Sequence, residues 1–286
     1  IITLIYNYIA LIYMDSIAEH VLKERYYQPG ESSWRDVAFR VANFVGSGKS
    51  EQGEFFDIIN NCEFIPNSPC LMNAGTNMNQ LSACFTIPVH DSIVSIFDAV
   101  KNAALIHKSG GGTGFNFSEL RGNGSTVKGT GHVASGPVSF MRVFNAATAT
   151  IKQGGKRLGA NMGALDVDHP DIIEFIKCKE KEGELANFNI SVNITDEFMK
   201  NKEVGKNKEI WNLIVHGSWL NGEPGIIFLD NSERDNKCPH LGKLKYRNPC
   251  LHEDSLMLTE NGLERISVCK SRIWNGNSFS DSKTWE

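Results

Sequence analysis

Two glycine-rich segments have the residue types and spacing that most clearly suggest chemistry: "SGGGTGFNF" at 109–117 and "KQGGKRLGANMG" at 152–163. Consecutive glycines adopt positive φ and let backbone N–H groups approach an anion, as in phosphate-binding loops. Lys152, Gln153 and Arg157 add cationic and amide donors to the second segment. Neither segment matches a Walker loop or a dinucleotide fingerprint. The pattern therefore fits either a phosphate-binding backbone or a tight turn between packed elements.

The composition narrows the class of protein that contains these segments. The 286 residues are 41% hydrophobic and 22% charged, as in a soluble globular protein. A net charge of −4 gives no electrostatic basis for binding nucleic acid or an anionic membrane, so we expect neither as a partner. Seven cysteines are scattered without a CxxC pair. This scatter favours a reducing, cytoplasmic location and predicts no structural metal site.

The chain begins with an apolar run, "IITLIYNYIALIY", that is too short to span a bilayer. The run has no initiating methionine, basic flank or signal-peptide cleavage site. We interpret residues 1–13 as upstream translation and Met14 as the start. A buried helix or strand is the alternative.

Apolar spacing predicts the elements that must position the glycine-rich segments. Residues 15–61 have helical spacing, which predicts a helical N-terminal region. Further helices are predicted in "SIVSIFDAVKNAALIHKS", "GPVSFMRVFNAATATIKQ" and "HPDIIEFIKCKEKEG", and strands in "FNISVNI" and "GEPGIIFLD". Three segments, "NSPCLMNAG", "LSACFTIPV" and "GTGFNFSEL", are interpreted as strand ends and loops. Strands that alternate with helices indicate an α/β fold.

Seven motifs resemble the catalytic subunit of ribonucleotide reductase, most closely the adenosylcobalamin-dependent (class II) type, and they occur in the same order as in that family. They are "ERYYQPGES", "FIPNSPCLMNAG", "LSACFTIPVHDS", "SGGGTGFNFSELR", "KQGGKRLGANMG", "FNISVNITDEF" and the Asn-Pro-Cys of 248–250. The resemblance implies a helical domain over 14–65, followed over 66–249 by the first half of a ten-stranded α/β barrel. It also implies reduction of ribonucleotides to 2′-deoxyribonucleotides by thiyl radical chemistry.

The same resemblance implies a cofactor and partners. Adenosylcobalamin would supply the initiating radical, with its contacts mostly in the other half of such an enzyme. The implied partners are a ribonucleotide substrate, a deoxynucleoside triphosphate effector, a thioredoxin-like reductant and a second copy of the chain in a homodimer. A di-iron-dependent (class I) large subunit and a non-catalytic nucleotide-binding fragment are the alternatives.

Two groups of residues match family positions with a known role, one in reduction of the substrate and the other in binding the effector. Cys84 matches the first cysteine of the redox pair that reduces the substrate. Asp91 matches the residue that binds the effector ribose, and Arg121 and Lys128 match those that hold its phosphates. Without the resemblance, Cys84 would be a buried small hydrophobe and the two cations solvated surface charges.

Two further groups match positions near the substrate. Ser68, Ala83 and Gly112 match residues that line the substrate site. Family members more often have Ser where this chain has Ala83, which removes one hydroxyl contact. Lys152, Gln153 and Arg157 lie in the segment that matches the loop between effector and substrate bases, and we expect them to transmit substrate specificity.

The resemblance to the reductase family ends at Cys250, because family members have the sequence Asn-Pro-Cys-Gly-Glu at this point. Asn248 matches the residue that positions the sugar, but His252 replaces the glutamate base. The segment "CLHEDSLMLTENGLERI" instead resembles the N-terminal block of an intein, a small all-β module with a turn at "TENG". Residues 250–286 would then be an N-terminal intein fragment. Cys250 would be the splicing nucleophile that attacks the Pro249 carbonyl.

The two interpretations of Cys250 imply different partners. In the intein interpretation, the radical cysteine begins a C-terminal extein, and a split intein would need a second chain that carries the remainder. Residues 250–286 contain no Thr-x-x-His motif, so in this interpretation the intein is incomplete. Either the gene fragment ends here, or the intein is naturally split and its remainder lies on a second chain. In a divergent reductase, Cys250 would itself be the thiyl radical residue. We expect no reductase activity from this chain alone in either case.

Overall fold

The structure, a computed structural model, describes residues 17–126, 133–151, 159–181 and 183–245, together with the backbone of four strands between 256 and 280. Its residues fall into two compact units. The first contains 17–85 and 106–111, and the second contains 86–105, 112–126, 133–151 and the described residues from 159 onward. No helix in this described part is both long and apolar enough to cross a membrane. Residues 1–13 and Met14 lie outside the described residues.

The first unit is helical, as its apolar spacing predicts. A helix over 17–21 continues into a π-helical turn at Leu22–Tyr26, and α-helices follow at Trp34–Val45 (α1), Lys49–Asn60 (α2) and Ser68–Asn73 (α3). Apolar residues from all three α-helices form one buried core cluster: Val37, Ala38, Val41, Ile59, Leu71 and the adjacent Ala74. The helical N-terminal region expected from the sequence is therefore confirmed.

A largely buried arginine, Arg40, holds the loops of the first unit together. Arg40 donates from Nε to Glu31 Oε1 (2.6 Å), from Nη1 to the Ala74 carbonyl (2.8 Å) and from Nη2 to the Leu71 carbonyl (3.0 Å). The Arg40 and Glu31 side chains are only 15% and 11% exposed. The planar guanidinium thus satisfies carbonyls at the end of α3 while its own charge is paired.

The segment "NSPCLMNAG" is a helix, and its interpretation as strand ends and loops was wrong. The Asn67 side chain accepts a hydrogen bond from the Cys70 N–H (2.9 Å), and Pro69 occupies the first turn of α3. An asparagine cap with proline in the first turn is a helix-start signal. The short apolar run after it gave no periodicity long enough to reveal the helix.

The second unit contains most of a five-stranded sheet. Its strands are Cys84–Thr86 (β1), Gly112–Asn116 (β2), Asn161–Asp166 (β3), Phe188–Ile194 (β4) and Gly225–Phe228 (β5), hydrogen-bonded in the order β1-β2-β3-β4-β5. Strands β2 to β5 are parallel, with Thr113 opposite Asn161 and Asn161 opposite Phe188. The α/β fold expected from the sequence is confirmed.

Helices connect these strands largely where the sequence predicts them. They are Ile93–Lys108 (α4), Gly136–Thr150 (α5), Ile172–Lys177 (α6), Asp196–Lys200 (α7), Gly205–Asn221 (α8) and Leu229–Arg234 (α9), with a 3₁₀ turn at Pro239–Leu241. The helix predicted in "HPDIIEFIKCKEKEG" is confined to α6. The strand predicted in "GEPGIIFLD" ends at Phe228, because the next residues begin α9.

Four phenylalanines form the centre of the second unit. Phe115, Phe117, Phe144 and Phe188 are at most 1% exposed. The Phe144 ring of α5 lies 4.7 Å from Phe115 and 5.6 Å from Phe117, centroid to centroid, in edge-on arrangements that aromatic pairs prefer. A Cβ at Gly163 would lie 3.0 Å from Met141 Cε, so glycine lets α5 pack closely on β3.

A largely buried ion pair lies at the start of β4. Lys179 Nζ donates to Glu223 Oε1 (2.6 Å) and to the Phe188 carbonyl, while Glu223 Oε2 accepts from the Ile190 N–H (2.7 Å). The Lys179 and Glu223 side chains are 15% and 16% exposed. The carboxylate thus satisfies the Ile190 N–H at a point before the β5 ladder, which begins at Ser191 opposite Gly225.

We expect Glu223→Ala to lower the free energy of unfolding of the second unit by about 3 kcal/mol, because it leaves the largely buried Lys179 ammonium without its carboxylate and the Ile190 N–H without an acceptor. Asp98→Ala is the matched control, since Asp98 pairs with Lys101 at 2.6 Å but both side chains are more than half exposed. Its effect should stay below about 1 kcal/mol. Urea unfolding followed by circular dichroism measures both. Equal shifts in the two variants would contradict the role given to Glu223.

The residues after 255 form a separate antiparallel sheet. Strands Leu256–Thr259 (β6), Gly262–Arg265 (β7), Ile273–Trp274 (β8) and Phe279–Ser280 (β9) are arranged in the order β7-β6-β8-β9. Thr259 pairs with Gly262, and Trp274 pairs with Phe279. The strands expected on either side of "TENG" are confirmed, since β6 and β7 pair in an antiparallel arrangement. The change from parallel to antiparallel pairing follows the point where the sequence motifs change.

Candidate functional site

Polar side chains form a network at the carboxyl ends of the three central strands. The Ser118 hydroxyl donates to Asn116 Oδ1 (2.6 Å) and accepts from the Asp166 N–H (2.8 Å). Asn193 Nδ2, whose residue is 2% exposed, donates to Asp166 Oδ1 (2.7 Å). Ligands of open parallel sheets bind at this edge. These residues were not predicted from the sequence, although β2 and β3 each end with a polar residue and Asn193 is the penultimate residue of β4.

The structure brings Asp91 and Arg121 into direct contact. Arg121 Nε donates to Asp91 Oδ2 (2.7 Å), and the Arg121 backbone N–H donates to Oδ1 (3.4 Å). Arg121 Nη1 also donates to the Thr126 carbonyl (3.3 Å). Both side chains are about one-third exposed, at 36% and 35%. A guanidinium has five N–H donors and a carboxylate has four lone-pair sites, so the pair has the capacity to bind a polar ligand while intact.

The turn that follows Arg121 is closed by backbone hydrogen bonds. The Gly124 N–H donates to the Ala134 carbonyl (2.9 Å), and the Ala134 N–H donates to the Ser125 carbonyl (2.8 Å). The Asn123 N–H donates to Asp171 Oδ2 (2.8 Å), which attaches the turn to the residue before α6. Segments 121–126 and 133–135 are therefore held together beside the Asp91–Arg121 pair. Lys128 lies outside the described residues.

Glu119, two residues before Arg121, forms a second charged group with His90 and Lys245. Glu119 accepts from His90 Nδ1 (2.7 Å) through Oε2 and from Lys245 Nζ (3.4 Å) through Oε1. The hydrogen bond from His90 is the largest influence on Glu119 and holds the pKa of its carboxyl below the ordinary value, with a smaller contribution from Lys245. The Lys245 carbonyl accepts from Asn116 Nδ2 (3.0 Å). The chain three residues before Asn248 is thus attached to the carboxyl end of β2.

The predicted substrate and redox residues lie on different elements. In the first unit, Cys84 is the exposed first residue of β1, Ala83 precedes it and is half-buried, and Ser68 begins α3. The Ser68 hydroxyl lies 2.9 Å from the Tyr26 hydroxyl. In the second unit, Gly112 is the buried first residue of β2.

The remaining predicted residues lie outside the described part of the chain. They are Lys152, Gln153 and Arg157 of the second glycine-rich segment, and Asn248 and Cys250 of the junction. Residues 151 and 159, on either side of residues 152–158, are described.

Two family models match the chain in sequence order. The model described as "Ribonucleotide reductase, all-alpha domain" matches residues 14–79, and the one described as "Ribonucleotide reductase, barrel domain" matches residues 82–207. The two matched ranges correspond to the helical N-terminal segment and to the chain from β1 through α7.

Curated relatives are similar over most of this chain but are much longer. The vitamin B12-dependent ribonucleoside-diphosphate reductase of Thermoplasma acidophilum is 47% identical over 234 residues, which cover 76% of this chain and 30% of that protein. The protein of the same description from Mycobacterium tuberculosis is 39% identical over 262 residues, covering 80% of this chain and 38% of that protein. The chain therefore spans well under half the length of these relatives.

A solved structure shares the fold at low sequence identity. The class Id ribonucleotide reductase alpha subunit of Actinobacillus ureae superposes with a TM-score of 0.66 at 21% identity, covering 76% of this chain and 40% of that one. This likeness independently supports the arrangement of helices and parallel strands.

Proposed function

Because the chain belongs to the ribonucleotide reductase family, we propose that it is the N-terminal part of a cobalamin-dependent reductase that converts ribonucleotides to 2′-deoxyribonucleotides. The observation that carries the proposal is the high identity to relatives named as vitamin B12-dependent reductases. The cytoplasm is the compartment that fits, since Cys62, Cys70, Cys178 and Cys238 are thiols rather than disulfides.

The cofactor of this proposal is adenosylcobalamin, which supplies the initiating radical when bound. No group of three or more His, Cys, Asp and Glu side chains among the described residues could hold a metal ion. As the family resemblance implies, we propose that the cobalamin contacts lie mostly in the other half of such an enzyme.

Within the proposed enzyme, Cys84 is one thiol of the dithiol that reduces the ribose and becomes a disulfide. Its exposure on β1 fits a thiol that must exchange with a thioredoxin-like reductant. Cys178 does not suit this role, since burial raises the pKa of its thiol to about 12 and the thiolate is the reactive form. Ser68, Ala83 and Gly112 are the proposed substrate contacts, and Asn248 the residue that positions the sugar.

We propose that the Asp91–Arg121 pair binds a deoxynucleoside triphosphate effector. Arg121 would contact the phosphates through donors directed away from Asp91, with Lys128 as a second cation, and Asp91 would accept from the ribose hydroxyl. Charge-assisted hydrogen bonds of this kind are the strong ones, and guanidinium matches phosphate geometry. Lys152, Gln153 and Arg157 then transmit the identity of the effector to the substrate site.

We expect Arg121→Ala to raise the Kd for the effector about tenfold or more, because a charge-assisted hydrogen bond contributes about 1.5–3 kcal/mol. Calorimetric titration of the chain with each deoxynucleoside triphosphate measures this. Arg234→Ala is the matched control, since Arg234 pairs with Asp196 at the same 2.7 Å and is more exposed. If the unaltered chain binds no effector at millimolar concentration, the site is misassigned.

An exposed apolar face on α4 supports a homodimer. Ile93, Val94, Phe97 and Leu105 are 62%, 73%, 52% and 61% exposed. At about 100° per residue they lie within about 120° of the helix circumference, which makes one continuous stripe. Such stripes mark interaction surfaces. Light scattering of the purified chain should give the mass of two copies, and a monomer at micromolar concentration would contradict this pairing.

A second candidate function is protein splicing, with Cys250 as the nucleophile. The observation that favours it is the antiparallel sheet of β6 to β9, which begins six residues after Cys250 and follows a parallel sheet. We propose that splicing with a C-terminal intein partner joins Pro249 to a Cys-Gly-Glu extein. This step would restore the radical cysteine and the glutamate base.

A further inference from the structure

A buried asparagine joins two threonines at the amino end of the parallel sheet. Asn161, the first residue of β3, is 1% exposed, and Thr113 of β2 and Thr148 of α5 are 0% and 5% exposed. Asn161 Oδ1 accepts from the Thr113 hydroxyl (2.8 Å), and Asn161 Nδ2 donates to the Thr148 hydroxyl (2.9 Å). We call these three side chains the Asn161 clasp.

The hydrogen bond that Thr148 makes within α5 determines the direction of the two hydrogen bonds of Asn161. The Thr148 hydroxyl donates its only hydrogen to the Phe144 carbonyl (2.8 Å), so it must accept from Asn161. Nδ2 of Asn161 therefore faces Thr148, and Oδ1 faces the Thr113 hydroxyl. The amide has a single orientation, because a flipped amide would place its oxygen against an oxygen with no hydrogen left to donate.

The clasp surrounds the predicted specificity segment in sequence. Thr148 lies in the last turn of α5, four residues before Lys152, and Asn161 follows residue 158 by three. Its third member, Thr113, directly follows Gly112, a proposed substrate contact. One side chain thus ties together the helix before the segment, the strand after it and the strand that carries Gly112.

Strand pairing does not require the clasp. Backbone hydrogen bonds already hold β3, since the Asn161 N–H donates to the Asn187 carbonyl (2.8 Å) and the Thr113 N–H to the Ala160 carbonyl (3.0 Å). An apolar side chain would fill the same buried space without desolvating an amide. A fully satisfied buried polar network instead fixes one arrangement of the groups that it joins.

We propose that Asn161, held by Thr148 and Thr113, is a positioning residue for effector-dependent choice of substrate. It holds the last turn of α5 and the first residue of β3, which lie on either side of residues 152–158 in sequence, in a fixed relation to Gly112. A change imposed by the effector is then transmitted to the substrate rather than absorbed by movement of α5 or β3. This inference rests on the proposed reductase function and adds to it a residue that contacts neither ligand.

The test compares Thr148→Val with Thr148→Ser in the complete reductase. Valine keeps the volume but removes the hydroxyl, whereas serine keeps the hydroxyl. Turnover of the four ribonucleotides is measured with each deoxynucleoside triphosphate effector. We expect Thr148→Val to lower the ratio of kcat/KM between favoured and disfavoured substrates about tenfold, the factor for one unsatisfied buried donor, with effector Kd and effector-free turnover nearly unchanged. Thr148→Ser should restore the wild-type ratio.

The outcomes separate this inference from the function on which it rests. Wild-type discrimination in Thr148→Val overturns the positioning role alone. An equal loss of turnover for every substrate and effector also overturns it, because a merely structural defect has that signature. A wild-type enzyme that forms no deoxynucleotide overturns the reductase proposal together with this one. Asn161→Leu, which has a similar volume but removes both hydrogen bonds of the amide, provides a second variant and should reproduce the loss of discrimination.

Discussion

Cys84→Ala should abolish turnover of the complete enzyme with a thioredoxin-like dithiol, lowering kcat by at least about a thousandfold, as losses of an essential reacting group do. Reduction of the ribose needs two electrons, and in the proposed reaction these come from a dithiol that closes to a disulfide. Alanine has no sulfur to contribute. Multiple-turnover assays of deoxynucleotide formation, with the dithiol in excess, measure the effect.

The chain offers two matched controls for Cys84. Cys62→Ala removes another exposed thiol of the first unit and should leave turnover unchanged. Cys178→Ala removes a buried thiol whose pKa is raised to about 12, mainly by burial, so that almost none is thiolate at neutral pH. If Cys84→Ala turns over with external dithiol at the wild-type rate, Cys84 is not a member of the redox pair.

Cys250→Ala should eliminate ligation of Pro249 to the C-terminal extein when the chain is co-expressed with its intein partner. Splicing begins when the side chain attacks the preceding carbonyl and converts an amide to a thioester, and alanine has no nucleophile for this step. Mass spectrometry of the products distinguishes a joined reductase and a released 250–286 segment from an unreacted precursor.

Cys84→Ala is the control for this second experiment. It should splice normally and yet give a reductase without turnover, because the two cysteines act in different reactions. Retention of residues 250–286 in an active reductase would refute the intein interpretation. Cys250 would then be the candidate for the thiyl radical residue, without the glutamate that relatives have at the position of His252.

Much of the architecture is predictable from the sequence because its signals are local. Apolar spacing is set by the 3.6-residue helical repeat and the two-residue strand repeat, so it revealed α1, α4, α5 and β4 without tertiary information. The glycine-rich segments and the motif order also identified the family. Local signals were insufficient at α3, because its apolar run is too short to show helical periodicity. The start of this helix is marked only by a capping asparagine and a proline.

Tertiary structure alone decided how the chemically active side chains are paired. Asp91 and Arg121 were predicted as separate ligand contacts, yet they lie 30 residues apart in sequence and 2.7 Å apart in space. Lys179 and Glu223 are separated by 44 residues, and Thr113 and Asn161 by 48. The periodicity of the sequence does not reveal such pairs, because strand order and register bring the two residues together. Strand order and register depend in turn on the packing of the whole sheet. The sequence by itself therefore determined the family and most of the helices and strands. The register of the parallel strands decided which polar groups meet. This register matters because a buried amide or charge is stable only where another element supplies a hydrogen-bonding or charged partner.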